Sequence, residues 1–140
     1  MILIGYFFGS IPSALIAGKL TAGIDIRQHG SGNMGATNAF RVLGVKLGLT
    51  VTIADILKGV IPAYIGLRWG GEAWAIAGGA AAIIGHSYPI FAGFKGGKGI
   101  ATGAGVFFVL MPGAIGIAAA VFALTLFTPS TYLFHPYWVH

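Results

Sequence analysis

Four long apolar segments, separated by short polar loops, make up most of this chain. They run from about Ile2 to Leu20, from Val45 to Leu67, from Ala73 to Phe91 and from Ile100 to Phe127. Each is close to the ~20 residues that an α-helix needs to cross the hydrocarbon core of a bilayer. Because lipid cannot hydrogen-bond to open backbone groups, helices are the expected form. The segments therefore predict an all-α integral membrane protein with about four transmembrane helices.

The composition agrees with a membrane protein and excludes an ordinary soluble one. Hydrophobic residues make up 56% of the chain and charged residues only 8%, against about 25% charged in typical soluble proteins. The net charge of +5 is spread between the apolar segments, so we expect anionic lipid headgroups and anionic substrates as partners rather than nucleic acid. The chain has no cysteine and only three acidic residues, so we expect no metal site. No other cofactor is predicted.

The first segment is predicted to be a retained transmembrane helix, since no basic region and no clear cleavage site mark it as a signal peptide. Residues 1–127 are predicted to form one membrane-embedded domain. The remaining residues, 128–140, contain two prolines and several aromatic side chains and continue no helical pattern. We expect them to form an irregular interfacial tail.

Basic residues are concentrated in two of the three loops between the segments. The loop after the first segment and its borders carry Lys19, Arg27, Arg41 and Lys46, and the loop after the third carries Lys95 and Lys98. The remaining loop has Arg68, which Glu72 nearly cancels. By the positive-inside rule, both basic loops face the cytoplasm and the N-terminus lies outside.

The first basic loop contains a run of glycines and short polar side chains, Gly30-Ser31-Gly32-Asn33-Met34-Gly35-Ala36-Thr37-Asn38. Glycines let a backbone approach a ligand closely, and backbone amides in such a loop bind anions. Polar side chains in the run add donors, and Arg41 can supply a planar, always-charged fork for a phosphate. The run also has the glycine spacing of a dinucleotide-binding turn, but its flanks are predicted membrane helices rather than a strand and a helix. The loop therefore predicts a phosphate site, with a simple Gly/Asn/Ser turn as the alternative.

The second basic loop, Phe94-Lys95-Gly96-Gly97-Lys98-Gly99, repeats this combination of glycine and positive charge. It is not a Walker loop, because Gly99 stands where Ser or Thr would coordinate magnesium. Its lysines are either phosphate ligands or anchors that reach from a helix end to the membrane interface.

Three ionisable residues lie inside or at the end of predicted spans. Asp55 and Lys58 share one helix face and form a structural ion pair, a substrate site or both. His86 ends the third segment beside the second basic loop and is either an interfacial or core residue or a catalytic base. No carboxylate lies close to it in sequence, so a Ser-His-Asp triad is not predicted.

Four runs of this chain together resemble the bacterial membrane acyl-phosphate:glycerol-3-phosphate acyltransferases. They occur in the family's order, as Gly9-Ser10-Ile11-Pro12, Gly30 to Asn38 with Arg41, Lys58-Gly59-x-x-Pro62, and Gly85 to Phe91 followed by Lys95 to Gly99. The resemblance implies acyl transfer from acyl phosphate to the 1-position of glycerol 3-phosphate, giving lysophosphatidic acid and phosphate. It places the protein in the bacterial inner membrane with its site facing the cytoplasm. It implies no metal, no acyl-CoA and no protein general base.

The resemblance also implies roles for individual residues. The catalytic set would be Ser31, Arg41, His86 and Lys98. Binding of substrate and phosphate would fall to Gly30, Gly32, Asn33, Gly35, Thr37, Asn38, Lys58, Lys95, Gly96 and Gly97.

Members of this family have about seven spans and are longer by some fifty residues. Segments expected beyond Phe127, including an Arg-Tyr-x-Ser run and further spans, are not found, which indicates a fragment or an end altered by a frameshift or gene-boundary error. We therefore expect the isolated 140-residue chain to be poorly active or inactive, and turnover of acyl phosphate at normal rates would refute this. The alternative function is that of a small transporter or channel subunit for an anionic solute, which broken helices and intramembrane charges would also serve.

Overall fold

The computed structural model describes residues 1–127, with side chains as far as Thr125, and that part of the chain is all-α. The helices are α1 (Ile2–Gly9), α2 (Ser13–Ala22), α3 (Ala36–Leu43), α4 (Val45–Gly70), α5 (Glu72–Ser87), α6 (Ile100–Leu110) and α7 (Pro112–Phe127). Short 3-10 turns cover Ile26–Gln28 and Ile90–Ala92. The predicted all-α class is confirmed, while the predicted tail at 128–140 lies outside the described residues.

Within the described residues, three stretches are long and apolar enough to cross a membrane: Ile2–Ala22, Val45–Gly70 and Glu72–Ala92. They correspond to the first three predicted spans. The fourth predicted segment differs, because it is divided at Met111 into α6, with 11 residues, and α7, with 16 residues. Pro112 explains the break, since proline disfavours the helical region for the residue before it. Met111 accordingly has φ −141° and ψ 64°.

A second proline divides the first span. Pro12 has no N–H to donate into the helix, and the chain leaves helical geometry between α1 and α2. The break frees the carbonyl group of Ile11 from the helical hydrogen-bond pattern, and the Nζ atom of Lys58 donates to it at 2.8 Å. The interruption in α1–α2 thus turns a backbone acceptor toward the interior.

The helices pack closely because small residues occupy their contacts. Helix α5 lies against both α1 and α4, and α6 packs on α4 and α5. A Cβ atom on Gly105 of α6 would collide with the carbonyl oxygen of Ile56 and would lie 3.1 Å from the amide nitrogen of Val60, both on α4. Only glycine allows this backbone separation, as is common where membrane helices meet.

We expect Gly105→Val to lower the melting temperature in detergent, because α6 must move away from α4. Overpacking of this kind costs about 1–3 kcal/mol or more. Gly116→Val is the control, since a Cβ on Gly116 of α7 meets nothing within 4 Å while the change in intrinsic helix propensity is the same. Thermal unfolding followed by circular dichroism measures both, and equal melting temperatures for the two variants would contradict the close α4–α6 contact.

An apolar cluster anchors the loop between α2 and α3. Ile26 is fully buried and Met34 is 4% exposed, and both pack among residues of α2, α3 and α4. These two side chains fix both sides of the glycine-rich run. The run is therefore held as a rigid loop at one end of the helices.

Candidate anion-binding site

Asn38 organises the first glycine-rich loop from inside. Its side chain is 1% exposed, and its Oδ1 atom accepts a hydrogen bond from the amide of Ser31 at 3.0 Å. Its Nδ2 atom donates to the carbonyl oxygens of His29 at 3.1 Å and Asn33 at 3.0 Å. The structure thus supports a scaffolding role for Asn38, because the loop backbone already uses its amide group, and its predicted contact with phosphate stays a prediction.

Two glycines in this loop are required by its backbone course. Gly30 has φ +55° and Gly32 has φ +74°, which side-chain-bearing residues rarely adopt. A Cβ on Gly30 would also collide with the Oδ1 atom of Asn38. Both glycines therefore shape the loop. Just before α3, the amide of Gly35 donates a hydrogen bond of 2.7 Å to Oδ1 of Asn33.

The second glycine-rich loop lies against the C-terminal end of α5. The amide of Gly96 donates to the carbonyl of Ser87, and the amide of Gly97 donates to the carbonyl of His86, both at 3.2 Å. A Cβ on Gly96 would collide with that His86 carbonyl oxygen. These two amides satisfy carbonyl groups that the helix end leaves without partners, and the predicted binding of phosphate by Gly96 and Gly97 stays a prediction.

The two loops and the start of α6 enclose a cavity of about 430 Å³, which we call the main cavity. Seven predicted site residues line it: Ser31, Asn33, Gly35, Thr37, Arg41, His86 and Lys98. Asp55, Gly99, Ile100 and Ala101 complete the lining. Within the described part of the chain, neither Arg41 nor Lys98 forms an ion pair. Two cations and two hydroxyl groups therefore remain available to an anion.

Lys95 belongs to a different place. It lines a second cavity of about 300 Å³ together with Arg27, Gln28, Gly32 and Gly96. The turn at Gly96-Gly97 thus sends the two lysines of the loop to different cavities, and the structure does not bring Lys95, Gly32 and Gly96 together with the lining of the main cavity. Their predicted contact with phosphate stays a prediction.

Arg27, which the sequence did not single out as a site residue, holds the loops together. Its guanidinium group pairs with Asp25, with Nη2 at 2.9 Å from Oδ2, and its Nη1 atom donates to the carbonyl of Ala92 at 2.6 Å. The hydrogen bond from Arg27 lowers the pKa of Asp25 to about 2. Because this pair stays ionised at neutral pH, Asp25 neutralises the arginine, and the second cavity is less cationic than its composition suggests.

A buried polar cluster lies behind the main cavity. The Nζ atom of Lys58 is 2.8 Å from Oδ1 of Asp55 and 3.0 Å from Nδ1 of His86. Lys58 is 5% exposed and lines neither cavity. The structure supports the ion-pair interpretation, and the predicted contact between Lys58 and phosphate stays a prediction.

The same cluster supplies the carboxylate that the sequence could not place beside His86. Oδ1 of Asp55 lies 3.8 Å from Nδ1 of His86, and Thr102 of α6 donates to the Asp55 carbonyl at 3.0 Å. Asp55 lies on α4 and His86 lies near the end of α5, so the two are distant in sequence. Only the packing of those helices reveals their proximity.

The fold and the site together define a helical membrane protein with a cationic cavity at the ends of its helices. The chain belongs to the glycerol-3-phosphate acyltransferase family, whose sequence model matches residues 1–133. It is 52% identical over 128 residues to a glycerol-3-phosphate acyltransferase of Bacillus cereus, covering 91% of this chain and 65% of the relative. A Macrococcus caseolyticus protein of the same name is also 52% identical, with 91% and 66% covered.

Two solved structures have the same fold. The crystal structure of PlsY (YgiH), an integral membrane glycerol 3-phosphate acyltransferase, superposes in its glycerol 3-phosphate form with a TM-score of 0.83 and 42% identity. This match covers 89% of our chain and 63% of that protein. The lysophosphatidic acid form gives a TM-score of 0.80 and 41% identity. The chain thus spans just under two thirds of the length of the relatives that it matches.

Proposed function

We propose that this chain forms the phosphate-holding part of an acyltransferase site, where a fatty acyl group passes from acyl phosphate to the 1-hydroxyl of glycerol 3-phosphate. The observation that carries the proposal is the main cavity, in which Arg41 and Lys98 face the same space as the hydroxyls of Ser31 and Thr37. Arginine and lysine with hydroxyl and amide donors are the groups that bind phosphate esters. The relatives' names and the glycerol 3-phosphate form of PlsY support the same substrate.

The reaction needs little chemistry from the protein, because acyl phosphate is an activated mixed anhydride. The 1-hydroxyl oxygen of glycerol 3-phosphate forms a bond to the acyl carbon, and the bond from that carbon to the phosphate oxygen breaks. Phosphate leaves with the bonding electrons and takes up the hydroxyl proton, and the other product is lysophosphatidic acid. Holding two anions in reacting geometry can account for ~7–11 kcal/mol of barrier reduction.

The wall of the main cavity at α6 suits the acyl chain. Ile100 and Ala101 supply apolar surface next to Lys98, and Ile100 is 76% exposed. An acyl phosphate whose head lies at Arg41 and Lys98 can therefore extend its hydrocarbon chain along α6 into the bilayer, without a deep protein tunnel.

Binding of glycerol 3-phosphate tests the proposal without requiring full turnover. We expect Arg41→Ala to weaken binding of radiolabelled glycerol 3-phosphate to the detergent-solubilised chain by about tenfold or more, since a charged hydrogen bond contributes ~1.5–3 kcal/mol. Arg68→Ala is the control, because Arg68 is exposed near the opposite end of α4. Phosphate release from palmitoyl phosphate with enzyme in excess measures the transfer itself. Binding that is equal in the two variants, or absent from the unmodified chain, would contradict the proposed site.

We also propose that the main cavity faces the cytoplasm of the bacterial inner membrane. The loops around it carry the excess of lysine and arginine, and such loops remain on the cytoplasmic side. Lys46 at the start of α4 and Glu72 at the start of α5 are both exposed and lie at opposite ends of the 26-residue α4.

Single cysteines can establish this orientation, because the chain has none of its own. In intact spheroplasts, a membrane-impermeant maleimide should label Glu72→Cys but not Lys46→Cys. After the membrane is disrupted, both should react. The reverse pattern in intact spheroplasts would place the cavity on the outer side.

A further inference from the structure

His86 presents different sides of its ring to the two halves of the site. Its Nδ1 atom faces the buried cluster, at 3.0 Å from Nζ of Lys58. The opposite edge faces the glycine-rich loops, since a Cβ built on Gly97 would lie 2.5 Å from Nε2 and 3.3 Å from the amide nitrogen of Gly35. His86 lines the main cavity, and among the described residues its Nε2 atom has no hydrogen-bond partner. That nitrogen is therefore the atom that a ligand would meet.

The hydrogens of Lys58 determine the state of the other nitrogen. An ammonium group has three N–H donors and no lone pair. Three groups surround this one: the Ile11 carbonyl, which accepts a hydrogen bond at 2.8 Å, Oδ1 of Asp55, which forms an ion pair at 2.8 Å, and Nδ1 of His86 at 3.0 Å. Because the ammonium can only donate, Nδ1 must accept, and a neutral imidazole then carries its proton on Nε2.

Asp55 does not offer a competing arrangement. A carboxylate that accepted a proton from Nδ1 would favour the opposite tautomer, but the separation of 3.8 Å between Oδ1 and Nδ1 is too long for a hydrogen bond. Both carboxylate oxygens are buried, and among the described residues neither accepts a hydrogen bond, so the contact of Oδ1 with Lys58 is an ion pair. Asp55 thus acts on His86 through Lys58, by keeping the lysine charged and in place.

We propose that Lys58 is a positioning residue that holds His86 as its Nε2–H tautomer, so that His86 presents a hydrogen-bond donor, and not a base, to the main cavity. The part of this inference that concerns substrate rests on the proposed function. There, Nε2–H donates to an oxygen of the bound phosphate group, beside Arg41 and Lys98. A donor already fixed in direction loses little by reorganisation when negative charge develops on that oxygen.

Nitrogen NMR of the unmodified protein tests the tautomer independently of activity. With ¹⁵N-histidine labelling, the His86 signals are assigned by their loss in His86→Gln. We expect Nδ1 to show a pyridine-type shift and Nε2 a pyrrole-type shift at neutral pH. A pyrrole-type Nδ1, or a protonated ring, would overturn the inference even if the protein proved to be an acyltransferase.

Variants of the lysine test the cause. Lys58→Met should release the ring into a mixture of tautomers, whereas Lys46→Met, an exposed lysine at the start of the same helix, should leave the spectrum unchanged. A folded Lys58→Met protein with the original His86 signals would overturn the role of Lys58. If Lys58→Met does not fold, the spectrum of the unmodified protein still decides the tautomer.

Substitution of His86 tests the donor role. Glutamine can place an N–H near the position of Nε2, while alanine and asparagine cannot. We expect His86→Ala and His86→Asn to bind glycerol 3-phosphate about tenfold more weakly and His86→Gln to stay within about threefold of the unmodified chain, as expected for loss or retention of one hydrogen bond to a charged group. Equal losses in all three variants would overturn the donor role. Binding of glycerol 3-phosphate by Arg41→Ala that equals binding by the unmodified chain would instead contradict the proposed function.

Discussion

Asn38→Asp should destabilise the protein by at least ~3 kcal/mol and abolish detectable binding of glycerol 3-phosphate. The substitution keeps an acceptor for the Ser31 amide but replaces the two N–H donors by an oxygen. That oxygen would face the carbonyl groups of His29 and Asn33, which now receive hydrogen bonds of 3.1 Å and 3.0 Å. A buried carboxylate against two carbonyl oxygens is repelled, so the loop must open. Ser31 and the start of α3 would then lose their fixed positions at the cavity.

The control is the same chemical change five residues earlier. Asn33→Asp keeps the acceptor for the Gly35 amide at 2.7 Å, and within residues 1–127 the Asn33 side chain donates no hydrogen bond that the change would remove. We expect its unfolding free energy to stay near that of the unmodified chain, while the added negative charge in the main cavity weakens anion binding. Denaturation in mixed micelles and radioligand binding measure the two effects. An Asn38→Asp protein as stable as Asn33→Asp would show that the amide network does not hold the loop.

Lys58→Met should cost about 3–5 kcal/mol of unfolding free energy, because it leaves the carboxylate of Asp55 buried without its cation. Asp55 is 1% exposed and Lys58 5%, so water from the main cavity, which Asp55 lines, reaches little of the carboxylate and replaces the lost partner only weakly. Methionine fills a similar volume, which makes the missing charge the main change. Asp55→Asn should also destabilise the protein, because the buried ammonium group of Lys58 would then face a neutral amide in place of the carboxylate.

The double variant Asp55→Asn/Lys58→Met distinguishes an ion pair from general loss of packing. If the pair is the origin of the effect, the double variant is more stable than Lys58→Met alone, and the two single effects do not add. Unfolding by denaturing detergent gives the three free energies, with Lys46→Met as the control for a lysine outside the cluster. Additive effects would contradict the coupling.

Much of the architecture could be predicted because the membrane imposes simple requirements. Length and hydropathy are enough to locate α4 and α5, and the all-α class follows from the need to satisfy backbone groups internally. The division of the last segment at Met111 could have been predicted from the sequence, since Pro112 stands directly after it. Apolar composition alone concealed the break, because α6 and α7 are equally hydrophobic along their lengths.

Site residues could be predicted from the sequence where the residue type and its neighbours point to a single role. Arg41 and Lys98 follow glycine-rich runs, and both line the main cavity. For Asn38 and Lys95, residue type and neighbours do not determine which groups the side chain faces. An asparagine in a loop has the same donors whether it binds a ligand or the loop's own backbone, and two lysines separated by two glycines can face opposite sides of the turn.

By itself, the sequence determined that this is a helical membrane protein, that its positive charge is gathered in two loops, and that those loops suit phosphate. Family membership follows from the same motifs. Only the tertiary structure decided which groups each residue contacts. Asn38 hydrogen-bonds to the loop, Lys95 lines a second cavity, and Lys58 contacts Asp55 and His86. The physical reason is that these roles depend on contacts between helices distant in sequence. Each buried donor pairs with the acceptor that the packing brings within hydrogen-bond distance.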